Sequence, residues 1–320
     1  MFLLLLLACG QDHELNRRTK TDVFLQEPMA QVDILWVIDN SHSMEEEQGR
    51  IAQGFVSFVS NLSDTNIDFH IGVITTDMDL DNPDRALLLG HPAVLTPEDN
   101  YIALFQNRVQ VGIDGSDKEK GLSASLEALT EPLASGMNAG FLRDEATLSV
   151  IYVSDEDDCS DNEALAGQQS SACYTQGEDL VSVRDVVLRL KRLKPPGVRV
   201  LASGLVGPRA EAACEDTWPG HRYIGAAEAT GGLIGDICAD DYSTIMDELG
   251  LSVSGMLSTF ELTYAALEGS LLITVDDVVI EEDPDTGWSY DPEYWLIRFD
   301  GDYLPPRGSV IHATYEIGGG

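Results

Sequence analysis

The run Val32–Met44, VDILWVIDNSHSM, constrains this chain more than any other stretch. It opens as an almost unbroken apolar segment rich in Val and Ile, the pattern of a strand covered on both faces. It closes in Asp39-Asn40-Ser41-His42-Ser43, a polar turn that leads into a helical pattern. A strand buried on both sides needs helices above and below its sheet, so the segment points to a layered α/β domain. The turn also sets one carboxylate and two hydroxyls at alternate positions. Oxygen donors of this kind suit a hard divalent cation such as Mg2+, which keeps several waters and takes few protein carboxylates. The same residues equally suit a plainer role, a serine-rich helix N-cap behind an Asp that ties down the turn.

The rest of the first 256 residues repeats the theme. Glu45-Glu46-Glu47 stand where a helix dipole favours acids, and Ile51, Phe55, Phe58, Val59 and Leu62 follow at helical spacing. Strands are expected at Ile67–Ile74, Thr147–Val153 and Val198–Val206, with short ones at Arg85–Leu89 and around Gly231–Ile234. Helices are expected through Leu122, Leu126, Leu129 and Leu133, over Leu180–Leu193 up to Pro195-Pro196, and through Ile245, Leu249, Val253 and Met256. Alternating strands and helices predict a doubly wound, mostly parallel sheet flanked by helices. Asp39, Asp77 and Asp155 each follow directly on a strand, and ligands of such sheets lie beyond the carboxyl ends of the strands. From about Ser258 the helical period stops. Short strand-like runs, Leu271–Val275, Val278–Ile280, Tyr294–Phe299 and Ser309–Tyr315, alternate with Gly- and Asp-rich turns, which predicts a small all-β, sandwich-like module.

Asp39-x-Ser41-x-Ser43 after a buried strand, GIDGSDKEKGL before a later helix, and Asp155 after a third strand together resemble a von Willebrand factor A (VWA) domain over residues 31–256. The resemblance implies a metal-ion-dependent adhesion site. Asp39, Ser41 and Ser43 would supply the first loop and Asp155 the third, with the acid in the third loop reaching the metal through water. The second loop departs from the family pattern, because the place of its Thr falls on Ser116, flanked by Asp114 and Asp117. The implied cofactor is Mg2+, with Mn2+ and Ca2+ as alternatives. The implied partner is a protein whose Asp or Glu carboxylate fills the outward coordination position, so the implied role is binding without catalysis. A VWA fold that has lost its metal and serves as a cell-envelope scaffold is the alternative. A metal-dependent hydrolase using Asp39 or Ser41 ranks lower, since no His recurs beside a candidate nucleophile to act as base.

Composition bears on partners and compartment. The chain carries 55 Asp and Glu against 19 Lys and Arg, a net charge of −36 that repels phosphate backbones and argues against nucleic acid. The opening MFLLLLLACG resembles a bacterial lipobox, although no Lys or Arg precedes its apolar run. The expected organisation is therefore a signal peptide over residues 1–9 ending at a lipidated Cys9, a tether over 10–30, the VWA-like domain over 31–256 and the β module over 257–320. The expected location is the cell envelope, with a lipid anchor in a membrane, the outer membrane or surface being favoured because Gly10 follows Cys9. In an exported protein the other four cysteines suggest disulfides. Chain order favours Cys159 with Cys173 and Cys214 with Cys238, among three possible connectivities, and zinc is the competing reading.

Three further patterns admit two readings each. Asp77-x-Asp79-x-Asp81 resembles half of an EF-hand loop but has Asn82 and Leu88 where Gly and Glu belong, so a solvated acidic loop is favoured. Asp155–Asp158 offers acids for a second cation or only a surface loop. Trp288, Tyr290, Tyr294 and Trp295 suit a sugar-binding platform or, more simply, core packing.

Overall fold

The computed structural model describes residues 17–26, 31–64, 67–210, 214, 217–254, 259–284, 286–292, 294–299, 303–306 and 308–318. The expected signal peptide, Cys9 and the start of the tether lie outside them. In chain order the elements are β1 (Arg18–Leu25), β2 (Gln31–Ile38), α1 (Glu45–Asp64), β3 (Asp68–Thr75), α2 (Tyr101–Arg108), α3 (Gly121–Ala128), β4 (Thr147–Ser154), α4 (Ala172–Thr175), α5 (Val183–Arg192), β5 (Val200–Val206), α6 (His221–Thr230), β6 (Ile234–Asp236) and α7 (Ser243–Ser254). Six short strands follow: β7 (Thr259–Glu261), β8 (Leu272–Val275), β9 (Val278–Ile280), β10 (Ser289–Asp291), β11 (Leu296–Arg298) and β12 (Val310–Ile317). They fall into two compact units, one spanning Pro28–Met256 and the other joining the first 27 residues to Leu257–Gly320.

The larger unit is built on a five-stranded sheet in the order β3-β2-β4-β5-β6, with every neighbouring pair parallel. β2 alternates its side chains between two cores, as a central strand must. Val32, Ile34, Trp36 and Ile38 pack with Phe55 and Phe58 of α1, Phe105 of α2 and Leu249 of α7. Leu35 and Val37 pack on the other face with Leu122 of α3, Val187 of α5 and Ile224 of α6. Helices thus cover both faces, and the sheet is doubly wound. Since β3 lies on one side of β2 and β4 on the other, strand order reverses between β2 and β4. Their carboxyl ends open the crevice where this class of fold places its ligands.

One buried charge sits near the other end of β2. Asp33 is wholly buried, and its carboxylate accepts from Arg143 Nε at 2.8 Å, Arg143 N at 2.8 Å and Lys194 Nζ at 2.9 Å. The Lys194 side chain is itself fully buried, which lowers its pKa despite the Asp33 partner.

The smaller unit is a two-layer β structure. One sheet runs β1-β12-β8-β9 and the other β10-β11-β7. Ile273, Val275, Ile311, Ala313 and Tyr315 from the first share a core with Phe260 and Ile297 from the second, closing a small sandwich. The expectation of a tether over 10–30 fails here. Residues 18–25 form β1, paired antiparallel with β12 from Arg18↔Ile317 to Leu25↔Val310. β1 hides from periodicity because it is an edge strand with a mostly exposed pattern, and Phe24 alone of its side chains packs against this core.

Smaller differences have local causes. Arg85–Leu89 is no strand: a turn over Arg85 and Ala86, closed by Leu87 N to Asp84 O, leads into irregular chain that meets β3 through Leu89 N to Val73 O. α3 ends at Ala128, before Pro132, so Leu133 lies beyond the helix that its spacing suggested. Trp288 is buried and donates Nε1–H to Ile280 O at 2.7 Å, whereas Tyr294 and Trp295 are exposed, so these aromatics form no common platform. Both disulfides follow chain order, Cys159–Cys173 and Cys214–Cys238.

Candidate metal centre

Three loops meet at the carboxyl ends of β2, β3 and β4. Backbone hydrogen bonds set their positions: Asp39 N donates to Val153 O at 3.0 Å, and Thr76 N donates to Ile38 O at 3.1 Å. The segment before α3 is drawn in by Lys120 N to Thr76 O at 3.1 Å and Gly115 N to Asn40 O at 2.8 Å. A Cβ at Gly115 would lie 2.4 Å from the Asn40 side chain, so a larger residue there would have to displace Asn40. Gln48 of α1 closes the arrangement by donating to both Asp39 O at 3.0 Å and Gly112 O at 2.8 Å.

Asp39 lies at the centre, wholly buried. Its Oδ1 accepts from Ser41 N at 2.7 Å and its Oδ2 from Ser154 Oγ at 2.6 Å. Ser41 Oγ lies 3.3 Å from Ser43 Oγ, and the Ser43 hydroxyl bonds Asp155. Four of the five residues anticipated as ligands, Asp39, Ser41, Ser43 and Asp155, therefore form one connected cluster. Ser116 is half-buried and accepts from Lys118 N at 3.3 Å, and among the described residues no hydrogen bond joins it to the first or third loop. Asp114 and Asp117 are exposed, though the charge of Asp117 reaches Glu156. His42 is exposed.

Like charges crowd this cluster. Burial, followed by repulsion from Asp39, pushes Asp155 up to about 7. Glu156, raised to about 7, has the same two leading causes. Asp39 is raised by burial, although hydrogen bonds from Ser154 and Ser41 oppose the shift. Asp155 Oδ1 is buried without a donor. Among the described residues, no basic side chain pairs with Asp39 or Asp155. Crowded acids, hydroxyls and an orphaned carboxylate oxygen fit a hard cation, which would supply the missing positive charge and whose bound water would donate to that oxygen. Among the described residues no group of three or more His, Cys, Asp and Glu is placed to hold a metal unaided, so binding here would depend on the serine hydroxyls.

Two more acids belong to this environment: Glu119, which the sequence does not single out, and Glu156, which falls within the acidic run Asp155–Asp158. Glu119 is 1% exposed, its Oε2 accepts from Thr76 Oγ1, and its carboxyl lies against that of Asp39. Glu156 N donates to Ser154 Oγ at 3.1 Å, beside the Asp39 carboxylate. The other acidic stretches are structural. Asp158 accepts from Leu122 N at 2.9 Å at the start of α3, from Ser160 Oγ at 2.8 Å and from Arg222 Nε at 3.0 Å. Asp77 accepts from Asp79 N at 2.9 Å, so the half EF-hand pattern is spent on turn geometry.

No family model matches the chain, and no curated protein matches it. Among solved structures, the pilus adhesin SpaC from Lactobacillus rhamnosus GG superposes with a TM-score of 0.47 at 11% identity, covering 96% of this chain and 42% of that one. A von Willebrand factor type A protein from Catenulispora acidiphila gives 0.39 at 12% identity, covering 97% and 68%. The pilus adhesin RrgA from Streptococcus pneumoniae gives 0.37 at 10% identity, covering 97% and 60%. The present chain thus spans less than half of the SpaC structure. At such identities no residue's role passes from one protein to another.

Proposed function

We propose that the larger unit is a VWA-type binding domain that holds one divalent cation at Asp39, Ser41 and Ser43, with Asp155 acting through water and Ser116 completing the second loop. Mg2+ is the preferred ion, with Mn2+ or Ca2+ as alternatives. The observation that carries this reading is the convergence of Asp39, Ser41, Ser43 and Asp155 at the switch point of the sheet, with Asp155 Oδ1 left without a donor. Serine hydroxyls among the ligands leave the ion more electron-poor than an all-carboxylate set would, so an incoming carboxylate from a protein partner binds at its outward position. The protein would act as an adhesion or protein-binding factor in the bacterial cell envelope, anchored through lipidated Cys9. Two disulfides support an oxidising compartment.

The test uses immobilised protein panned against a random peptide library, once in Mg2+ and once in chelator. Mg2+ should select Asp- or Glu-bearing peptides, and Asp39→Ala should abolish the selection. Equal recovery with and without Mg2+ would count against the reading.

A further inference from the structure

We propose that Glu119 is a second direct carboxylate ligand of the cation, facing Asp39, and adds a charged oxygen to the second loop beside the Ser116 hydroxyl. This rests on the metal-site reading above and adds a residue to it. Glu119 lies one turn of chain beyond Ser116, in KEK, a run that reads as solvated surface. Its burial comes from its neighbours: Lys120 N is held by Thr76 O, and Thr76 Oγ1 donates to Glu119 Oε2. These bonds fix the carboxyl between the ends of β2 and β3.

The fixed carboxyl then lacks what a buried acid needs. Oε1 is buried with no donor, and the Asp39 carboxyl lies close against the Glu119 carboxyl. The two cations adjacent in sequence turn away. Lys118 Nζ donates to Leu165 O at 3.0 Å, and Lys120 Nζ pairs with Asp161 at 2.8 Å. Among the described residues, Glu119 makes no ion pair. A buried carboxylate left without a counter-charge is costly, so the facing acids need something positive between them. A divalent cation bound by Asp39, the serine hydroxyls and Glu119 Oε1 meets that need. It also gives the orphaned oxygen a partner.

A purely structural Glu119 would clamp the second loop to Thr76 or share one proton with Asp39. Glu119→Gln separates the cases, because the amide oxygen still accepts from Thr76 and its NH2 still donates to Asp39, while the charge and the ligating oxygen are gone. Mn2+ titrations by calorimetry and by electron paramagnetic resonance of the free ion give the affinity directly. The expected result is binding of one Mn2+ by the wild type, weakened at least 10-fold in Glu119→Gln, with an unchanged urea midpoint. Equal affinity in the variant overturns the proposal and leaves the underlying site intact. A wild type that binds no Mn2+ overturns both. Should Glu119→Gln fail to fold, Glu119→Asp carries the test: its carboxylate is withdrawn by one methylene, so it should bind Mn2+ more weakly, and unaltered affinity again overturns the proposal.

Discussion

Asp33→Ala should lower the free energy of unfolding of the larger unit by about 3–5 kcal/mol, the loss seen when one partner of a buried ion pair is removed. Asp33 accepts three hydrogen bonds from two cations, Arg143 through Nε and its own backbone N–H and Lys194 through Nζ, and His70 Nδ1 lies 3.9 Å away. Removing the carboxylate leaves the Lys194 ammonium, whose side chain is 0% exposed, without its counter-charge and beside the like-charged Arg143, with the Arg143 carbonyl still accepting from it. The intact pair need not itself be a large net stabiliser, because both charges lost their hydration on folding. The double variant Asp33→Leu/Lys194→Met should therefore recover much of what Asp33→Ala loses. Urea unfolding of the three proteins tests this. A single-variant loss under about 1 kcal/mol would mean that the stranded charges find water.

In the absence of divalent cations, the protein should lose stability as pH rises from about 4 to about 7. Asp155 titrates near 7 in the folded protein, because burial and then the Asp39 charge disfavour its ionised form. Unfolded, it titrates near its ordinary value of 3.8. Between the two values the folded protein keeps a proton that the unfolded chain has released, so stability falls as pH rises through this window and then levels off. The contribution from Asp155 alone is on the order of a few kcal/mol, reduced by whatever solvent reaches the loop. Glu156, also raised to about 7, acts in the same direction. Mg2+ should oppose the loss, raising the melting temperature more at pH 8 than at pH 5, where protons already neutralise the cluster. Asp39→Ala should make the fall shallower without abolishing it, since it removes the charge that repels both neighbours but leaves their burial. A profile that rises from pH 5 to pH 8 would contradict this electrostatic picture.

What the sequence revealed depended on how local the signal was. VDILWVID announces a central strand because every residue from Val32 to Ile38 is buried, and burial on both faces writes itself as an apolar run. Asp39, Ser41 and Ser43 were legible because one tight loop holds them in fixed spacing. Asp155 followed from the strand before it. Glu119 was not legible, because its burial is produced by Thr76, 43 residues away, while its own neighbours are lysines. Asp33 was hidden in the same way, inside an apolar run, with partners 110 and 161 positions distant. β1 escaped because RTKTDVFL has little apolar content, and its partner strand lies at the far end of the chain. The practical consequence concerns truncation. Removing the first 20 residues as a disposable tether would cut into β1 and the Arg17–Glu316 contact at 3.0 Å.

The most direct test of the central claim is a calorimetric titration of Mg2+ and Mn2+ into chelator-stripped protein, with Asp39→Ala alongside. The wild type should bind one ion at a single site, and Asp39→Ala should show no such binding while retaining its fold by circular dichroism. Heat that persists unchanged in Asp39→Ala, or no binding by the wild type at all, would contradict the account and leave the three converging loops as structure without a cation.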